Sequence, residues 1–399
     1  MAGHIEEQEK RWAVISLASI PLIMTLGNSM LIPILPVMEE ELDISKLQSS
    51  YIITMYSVVA IFFIPIAGFL SDRFGRKKVI IPSLIITGLG GLLAGWASSN
   101  MEDPFMVILM GRILQGVGAS GAAPIVLPLV GDIFRDDREA SATLGIIETS
   151  NTVGKVLSPI LGAALAAWIW FIPFYSVPVF CAISLVMVAF LVKNNGKDEE
   201  HNSFKEYWGL AKNVFKEHGK WLYAVFLIGA ILMFVLFGFL FYLSSILEEK
   251  YNYDGVWKGV ILAIPLLALS IASFIAGKKI EDHLKVMKWV TFIGITLTGA
   301  SVAAIPIMDN QIYLLSIFLI CGTGIGMSLP CLDALITESL EKDVRGIITS
   351  IYSAMRFVGV AAGPPVIAIL MKENVIWMAS MLAIFALGAG ILAYRNIDP

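Results

Sequence analysis

Five charged side chains fall inside long apolar stretches of this chain, where charge is rare. They are Arg112, Glu148, Lys155, Asp333 and Arg356. At the centre of a membrane helix each such charge costs about 2.5–3.5 kcal/mol on the insertion scale. Five of them facing lipid would cost on the order of 12–18 kcal/mol, which is comparable to the whole net stability of a domain. We therefore expect them to face protein, water or a ligand, and to carry the chemistry of this protein.

Glu148 and Lys155 stand seven residues apart, so on a helix they share one face about two turns apart, with Asn151 between them. A carboxyl group in such a place can take up and release a proton, because burial disfavours its ionised form and a nearby cation favours it. The spacing predicts that Glu148 is a protonation switch coupled to substrate, with Lys155 or Arg112 as the cation. The alternative is a static ion pair that only holds helices together.

Three further polar residues extend this candidate site. Arg356 is a candidate partner for a substrate or a carboxylate, whereas Asp333 suits a helix-end or gate role at least as well as proton transfer. Asn28 lies in the first apolar stretch, which contains no acidic residue. Because three basic and two acidic groups lie in the apolar stretches, we expect a neutral, zwitterionic or anionic amphiphile as substrate rather than a strictly cationic one.

The composition requires these residues to be carried by membrane helices. Of 399 residues 57% are hydrophobic and 15% are charged, against about 45–50% and about 25% in a soluble domain. This excludes a soluble enzyme, and a net charge of −4 without a basic stripe excludes a nucleic-acid-binding protein. The sequence contains no metal-ligand spacing, no phosphate-binding glycine loop and no nucleophile–base pair. We therefore expect no metal, no cofactor and no enzymatic activity.

The apolar stretches predict an all-α, multi-pass membrane protein, since a transmembrane helix needs about 20 mostly apolar residues. Twelve spans are predicted, over residues 13–37, 49–70, 79–98, 105–130, 141–166, 170–192, 221–246, 257–277, 287–307, 312–336, 346–370 and 375–394. Of the 28 Lys and Arg residues, 21 then lie on one side and 4 on the other. Positively charged loops stay in the cytoplasm, so both termini are predicted to be cytoplasmic. Short loops without a glycosylation sequon favour a bacterial inner membrane, and we expect a monomer.

The chain is divided by its longest polar stretch and repeats on either side of it. Residues 193–220 form a predicted cytoplasmic central loop between an N-terminal bundle, 1–192, and a C-terminal bundle, 221–399. Three groups of residues recur in the same order in both halves: Gly68, Asp72 and Arg76 with Gly277, Glu281 and Lys285; Gly116, Gly118 and Pro124 with Gly322, Gly324 and Pro330; and Gly154 and Pro159 with Gly359 and Pro364. This predicts two pseudo-symmetric six-helix bundles with the binding site between them.

The segment GFLSDRFGRKKVI, 68–80, falls between the second and third predicted spans. It resembles the signature of the major facilitator superfamily in that loop. The resemblance implies the twelve-helix major facilitator fold and a gate at the cytoplasmic side, formed by Gly68, Asp72, Arg73, Gly75, Arg76 and Lys77. The alternative, which we favour for Lys77, is that the basic residues only set the topology.

Two further segments are similar to motifs of the same superfamily. MGRILQGVGAS, 110–120, resembles the fourth-helix motif and places Arg112 where the family has a buried arginine associated with proton coupling. GKVLSPILGA, 154–163, resembles the fifth-helix motif of drug:proton antiporters, represented here by Gly154, Ser158, Pro159 and Gly162. Ser158 and Ala163 stand where that motif has glycine, and both remain small enough for close helix packing.

The seventh predicted span is rich in aromatic residues. Phe234, Phe237 and Phe241 share one helical face, which suits the wall of an apolar cavity or ordinary packing.

Taken with the resemblance, these features imply a secondary active transporter. The predicted function is proton-coupled efflux of a small amphiphilic compound or drug by alternating access, in a lipid bilayer, with the proton as coupling ion. Two alternatives remain open. One is a proton symporter or uniporter that imports a small solute, and the other is a sensor or lipid-translocating homologue without coupled transport.

Overall fold

The computed structural model describes residues 2–134, 137–192, 204–279, 284–340 and 342–397, and within these ranges it contains helices and no strand. Its α-helices are α1 (Ala2–Ser29), α2 (Leu35–Glu41), α3 (Lys46–Phe74), α4 (Arg76–Asn100), α5 (Phe105–Ser120), α6 (Ala123–Ile133), α7 (Asp137–Ala166), α8 (Ile172–Leu191), α9 (Phe204–Glu249), α10 (Gly255–Lys279), α11 (Leu284–Ala303), α12 (Gln311–Ser339), α13 (Lys342–Glu373) and α14 (Val375–Asn396). The predicted all-α class is confirmed.

Two predicted spans are each built from two helices. In the first, α1 ends at Ser29 and α2 follows a 3₁₀ turn at Ile32–Ile34. In the fourth, α5 ends at Ser120 and α6 begins at Ala123, next to Pro124. Proline has no backbone N–H to donate and its ring clashes with the preceding turn, so each break falls beside a proline. The α-helices of the described chain therefore correspond to the twelve predicted spans.

The fifth span, α7, differs in polarity from the others. Eleven segments of the described chain are long and apolar enough to cross a membrane, and α7 is not among them. Its 30 residues give it sufficient length, but it carries Glu148, Lys155 and several Ser, Thr and Asn residues. Because such a helix is unfavourable against lipid on all sides, the fold packs α7 between α1 and α10.

The predicted central loop is partly helical. Helix α9 has 46 residues and begins at Phe204, so it includes residues 204–220 of that predicted loop. At 1.5 Å per residue it is about twice as long as the roughly 30 Å hydrocarbon core of a bilayer. Residues 193–203 lie outside the described part of the chain.

Residues that repeat in the sequence make equivalent contacts in the fold. A Cβ atom on Gly116 of α5 would meet the backbone of Tyr56 on α3, and one on its counterpart Gly322 of α12 would meet the backbone of Pro265 on α10. On a larger scale, α7 packs against α1 and α10, whereas α13 packs against α9 and α3. Each half thus contributes one helix that is held between its own first helix and the second helix of the other half.

The two halves meet along two close seams, α3 with α13 and α7 with α10. In the first seam the Thr54 hydroxyl donates to the carbonyl of Ala361 at 2.8 Å. In the second, Gly259 lies against the carbonyl of Pro159 with no room for a side chain. Small residues let helix backbones approach closely where lipid offers no hydrophobic driving force.

Candidate transport site

Four of the five charged residues singled out in the sequence meet between the two halves. Glu148 and Lys155 project from α7, Asp333 from α12 and Arg356 from α13. Lys155 interacts electrostatically with the other three, and Glu148 also interacts with Asp333 and with Arg356. We call these four residues the interbundle cluster. The fold therefore brings acids and bases from distant parts of the chain to one place.

In the interbundle cluster, the two residues from the C-terminal half form an ion pair and the two residues from the N-terminal half do not. Arg356 Nη1 lies 3.2 Å from Asp333 Oδ1, so the two residues of the C-terminal half form an ion pair. The buried ring of Tyr352 lies beside them, 5.7 Å from the Arg356 guanidinium carbon. Within the described residues, by contrast, neither Glu148 nor Lys155 is in an ion pair. Glu148 and Lys155 of α7 therefore have no direct counter-ion among the described residues. In this structure they do not form the static ion pair that was the alternative to a protonation switch.

Asn151 lies between these two groups and joins them to α1. Its amide nitrogen is 3.4 Å from each carboxylate oxygen of Glu148. Its side-chain oxygen accepts a hydrogen bond from the Thr25 hydroxyl at 2.7 Å. The predicted placement of Asn151 next to Glu148 on one helix face therefore holds in the structure.

Arg112 lies apart from the interbundle cluster, inside the N-terminal half. It is completely buried and donates to the carbonyls of Ile52 and Gly27 at 2.7 and 3.2 Å. It also donates to the side chains of Gln115 and Asn28. All these partners are neutral, and no described contact joins Arg112 to Glu148. The structure therefore does not bring together the pair that sequence reasoning placed in one proton switch.

The Arg112 guanidinium also stacks on an aromatic ring that sequence reasoning missed. Its carbon lies 4.6 Å from the centroid of the Tyr56 ring, a distance suited to a cation–π interaction. Tyr56 of α3 and Tyr352 of α13 are both buried. For both residues the sequence offers one signal, a tyrosine inside an apolar span. Residue spacing does not relate a tyrosine on one helix to an arginine on another.

The charged residues of the loop motif at 68–77 contact other residues of the N-terminal half. Gly75 joins α3 to α4 with φ of 97°, a left-handed conformation that favours glycine. Arg76 pairs with Asp72 and, at 3.2 Å, with Asp132 of α6. Lys77 donates to the carbonyls of Ala189 and Val192 at the end of α8, where a cation is favoured by the helix dipole.

Two other residues of this loop motif have local contacts. The Gly68 carbonyl accepts a hydrogen bond from the Ser71 hydroxyl at 2.7 Å. The Arg73 guanidinium lies 5.6 Å from the ring of Phe74. A gating role for the motif stays a prediction. The alternative that we favour for Lys77, a role in setting the topology, also stays a prediction.

The fifth-helix motif forms the contact between α7 and α1. The Ser158 hydroxyl is buried and donates to the carbonyls of Gly154 and Thr25. A Cβ atom on Gly154 would lie 3.2 Å from the Leu22 carbonyl, and one on Gly162 would overlap the Met30 carbonyl. Pro159, also buried, faces α10 instead, as described above. The motif therefore keeps α7 in close contact with helices of both halves.

The Gly162 contact gives the first testable prediction. We expect Gly162→Ala to destabilise the protein by about 1–3 kcal/mol, because the added methyl group has no space against the carbonyl of Met30, the residue that follows α1. The measurement is unfolding of the purified protein in detergent. Gly145→Ala on the same helix is the matched control, since a Cβ there meets nothing within 4 Å, and it should leave stability unchanged or raise it. Equal stability of the two variants would contradict the packing described here.

The three aromatic residues of the seventh span are buried in the C-terminal half. Phe234, Phe237 and Phe241 all belong to a core cluster that contains residues of both halves, and the ring of Phe234 contacts Phe385 of α14 in an edge-on arrangement, 5.5 Å between centroids. In this conformation they make packing contacts. Their role as a cavity wall stays a prediction.

A second ionic group, missed in the sequence, lies at the end of the bundles where α9 finishes. Lys258, at the start of the eighth predicted span, was not among the five charges singled out, yet it is buried, and its ammonium contacts the Glu248 carboxylate. Beside this pair, Lys46 of α3 bridges the two halves to Glu249 at 2.6 Å. We call this the Glu249 end. On the same end the Ser244 hydroxyl donates to the Ile32 carbonyl at 2.9 Å, which also joins the halves.

The fold and the site together define a transporter built from two helical halves with a charged site between them. The chain belongs to the Major Facilitator Superfamily, whose family model matches residues 17–364. The predicted family is thereby confirmed. The chain is a multi-pass membrane transporter and not an enzyme.

Comparison with known proteins finds relatives in sequence and solved structures of similar fold. The chain is 55% identical to the bacillibactin exporter of Bacillus subtilis (strain 168) over 374 residues, covering 93% of this chain and 92% of the relative. It is 24% identical to multidrug resistance protein 2 of the same organism, covering 92% and 90%. A bacterial homolog of the human lysosomal transporter Spinster, solved in an inward-facing, unoccupied conformation, has a TM-score of 0.79 at 14% identity, covering 98% of this chain and 97% of that chain. That last likeness shows the fold alone.

Proposed function

We propose that this protein exports a small amphiphilic compound in exchange for protons by alternating access. The observation that carries the proposal is the interbundle cluster, in which Glu148 and Lys155 of one half face Asp333 and Arg356 of the other. Ionisable residues inside a membrane domain mark substrate and proton pathways, since they are too costly to keep without a function. A site between two halves is also where rocking of the halves exposes a ligand to alternate sides.

Coupling requires that proton and substrate favour different states of the transporter. In the proposed cycle Glu148 binds a proton from the outside and releases it to the cytoplasm, and substrate binding accompanies the release. Lys155, which has no counter-ion among the described residues, is the anchor for a polar or anionic group of the substrate. Arg356 is held by Asp333 in this conformation and becomes available when that pair opens.

The direction and the substrate are proposed from the relatives. The bacillibactin exporter is 55% identical over nearly the whole chain, which supports export over the importing alternative. Its name makes bacillibactin, or a compound like it, the first substrate to test. The two cationic and two acidic groups of the interbundle cluster also fit a substrate that is not strictly cationic.

The proposed setting is a bacterial inner membrane with both termini in the cytoplasm. The basic loop motif around Gly75 then faces the cytoplasm, as the positive-inside rule requires. The Glu249 end faces outward, and the Lys46–Glu249 pair holds the outer ends of the two halves together in this conformation. We propose a monomer whose coupling ion is the proton and which needs no bound cofactor.

A transport assay in proteoliposomes tests this function. With an acidic lumen, we expect bacillibactin to accumulate inside at least about tenfold above the level without a pH gradient, because protons leaving the lumen drive an antiporter. A symporter would instead require an acidic exterior, and a sensor would show no gradient-dependent flux with either polarity. Tetraphenylphosphonium is the comparison compound. Preference for this lipophilic cation over bacillibactin would contradict the proposed substrate class.

A further inference from the structure

Among the described residues, the side chain of Asn151 contacts the carboxylate of Glu148, and its own orientation is set from another helix. Asn151 approaches it with the amide nitrogen, 3.4 Å from both carboxylate oxygens. The opposite atom of the same amide, Oδ1, accepts the Thr25 hydroxyl proton at 2.7 Å. A hydroxyl that donates to the amide oxygen leaves only the NH₂ group to face Glu148.

The close approach of α1 and α7 makes this contact possible. Gly154 lies one turn beyond Asn151 on α7, and a Cβ atom there would lie 3.2 Å from both the Leu22 carbonyl and the Cβ of Thr25. Because Gly154 has no side chain, the short side chain of Thr25 reaches across to Asn151. The Thr25 carbonyl also accepts a hydrogen bond from Ser158 at 3.4 Å, which fixes this turn of α1 against α7.

We propose that Thr25 is a positioning residue that holds the Asn151 amide with its NH₂ group toward Glu148, and thereby sets the pH range in which the transporter exchanges its proton. The inference rests on the proposed function, since it assumes that Glu148 carries the coupled proton. An NH₂ group can only donate, so it favours the ionised carboxylate. A rotated amide would present its oxygen instead, which favours the protonated carboxyl group because that form can donate to it.

Among the described residues, three other charged groups interact electrostatically with Glu148. They are Lys155 on its own helix, Asp333 on α12 and Arg356 on α13. Of the helices packed against α7, α1 is uncharged over 12–29, α8 over its whole length and α10 over 259–277, and the one charge of α6, Asp132, pairs with Arg76. The Asn151 amide is therefore the neutral contact through which α1 can influence the carboxylate.

The test is the pH dependence of bacillibactin transport in proteoliposomes, with a constant pH difference at varied absolute pH. We expect Thr25→Val to move the half-maximal pH upward by about 0.5–1 unit, the size of one hydrogen bond to the ionised form. Thr25→Ser keeps the hydroxyl and should restore the wild-type profile. Thr25→Ala removes it without bulk and should act like Thr25→Val, which covers the case that valine prevents folding.

A second pair of variants separates positioning from general loosening of the helices. In an Asn151→Ala background we expect Thr25→Val to cause no further shift, because its effect acts through the amide. An unshifted profile in Thr25→Val and Thr25→Ala, or an additional shift in the double variant, would overturn the inference. Its failure is distinct from failure of the proposed function, which would show as no accumulation of bacillibactin by the wild-type protein with an acidic lumen.

Discussion

Replacing Glu148 with Gln is expected to abolish transport driven by a pH gradient, with a loss of at least about tenfold, while exchange of labelled for unlabelled substrate continues. Glutamine has nearly the same shape but cannot bind or release a proton. The exchange reaction needs only rocking of the loaded transporter, so it reports that the variant is folded and binds substrate. The measurement is bacillibactin flux in proteoliposomes with and without an acidic lumen.

The structure explains why the effect should be large. Glu148 is the acid of the interbundle cluster that has no ion pair among the described residues, whereas Asp333 is already bonded to Arg356. Glu102→Gln is the matched control, since Glu102 lies exposed in the turn before α5. Gradient-driven transport that persists in Glu148→Gln would eliminate the proposed proton site and leave Asp333 as the candidate acid of the interbundle cluster.

Replacing Lys258 with Met is expected to destabilise the protein by about 3–5 kcal/mol, because removal of one partner of a buried ion pair leaves the other charge uncompensated. The side chains of Lys258 and Glu248 are only 2% and 19% exposed. The effect is measured as the free energy of unfolding of the purified protein on titration with a denaturing detergent.

The same end of the molecule provides the controls. Lys250 pairs with Asp309, and these side chains are 40% and 75% exposed. Because exposed pairs contribute about 0–1 kcal/mol, Lys250→Met should change stability little. The double variant Lys258→Met with Glu248→Gln removes both charges and should recover most of the loss. A small effect of Lys258→Met alone would mean that Glu248 is solvated after all.

The prediction of helices from sequence succeeded where the signal is local. Each span follows from about 20 neighbouring residues with apolar side chains, so the segments could be found without knowing their neighbours. Helix α7 was found in the same way although its polarity keeps it out of the eleven apolar segments. The charged residues on either side of its apolar run were a sufficient signal.

The partners of the charged residues could not be predicted in this way. Arg112 and Glu148 are both rare intramembrane charges, and sequence reasoning considered them together, yet Arg112 is bonded to neutral groups of α1, α3 and α5. Helical periodicity tells which residues share a face of one helix. It does not tell which faces of two distant helices oppose each other.

The sequence by itself determined the class of the protein, because its composition, apolar spans, repeat and motifs can all be recognised without knowing which helices contact each other. Only the tertiary structure decided that Asp333 pairs with Arg356, that Lys258 is buried against Glu248, and that Thr25 contacts Asn151. Each of these contacts joins two different helices, and their energies depend on which charges and hydrogen-bonding groups the packing of the helices removes from water.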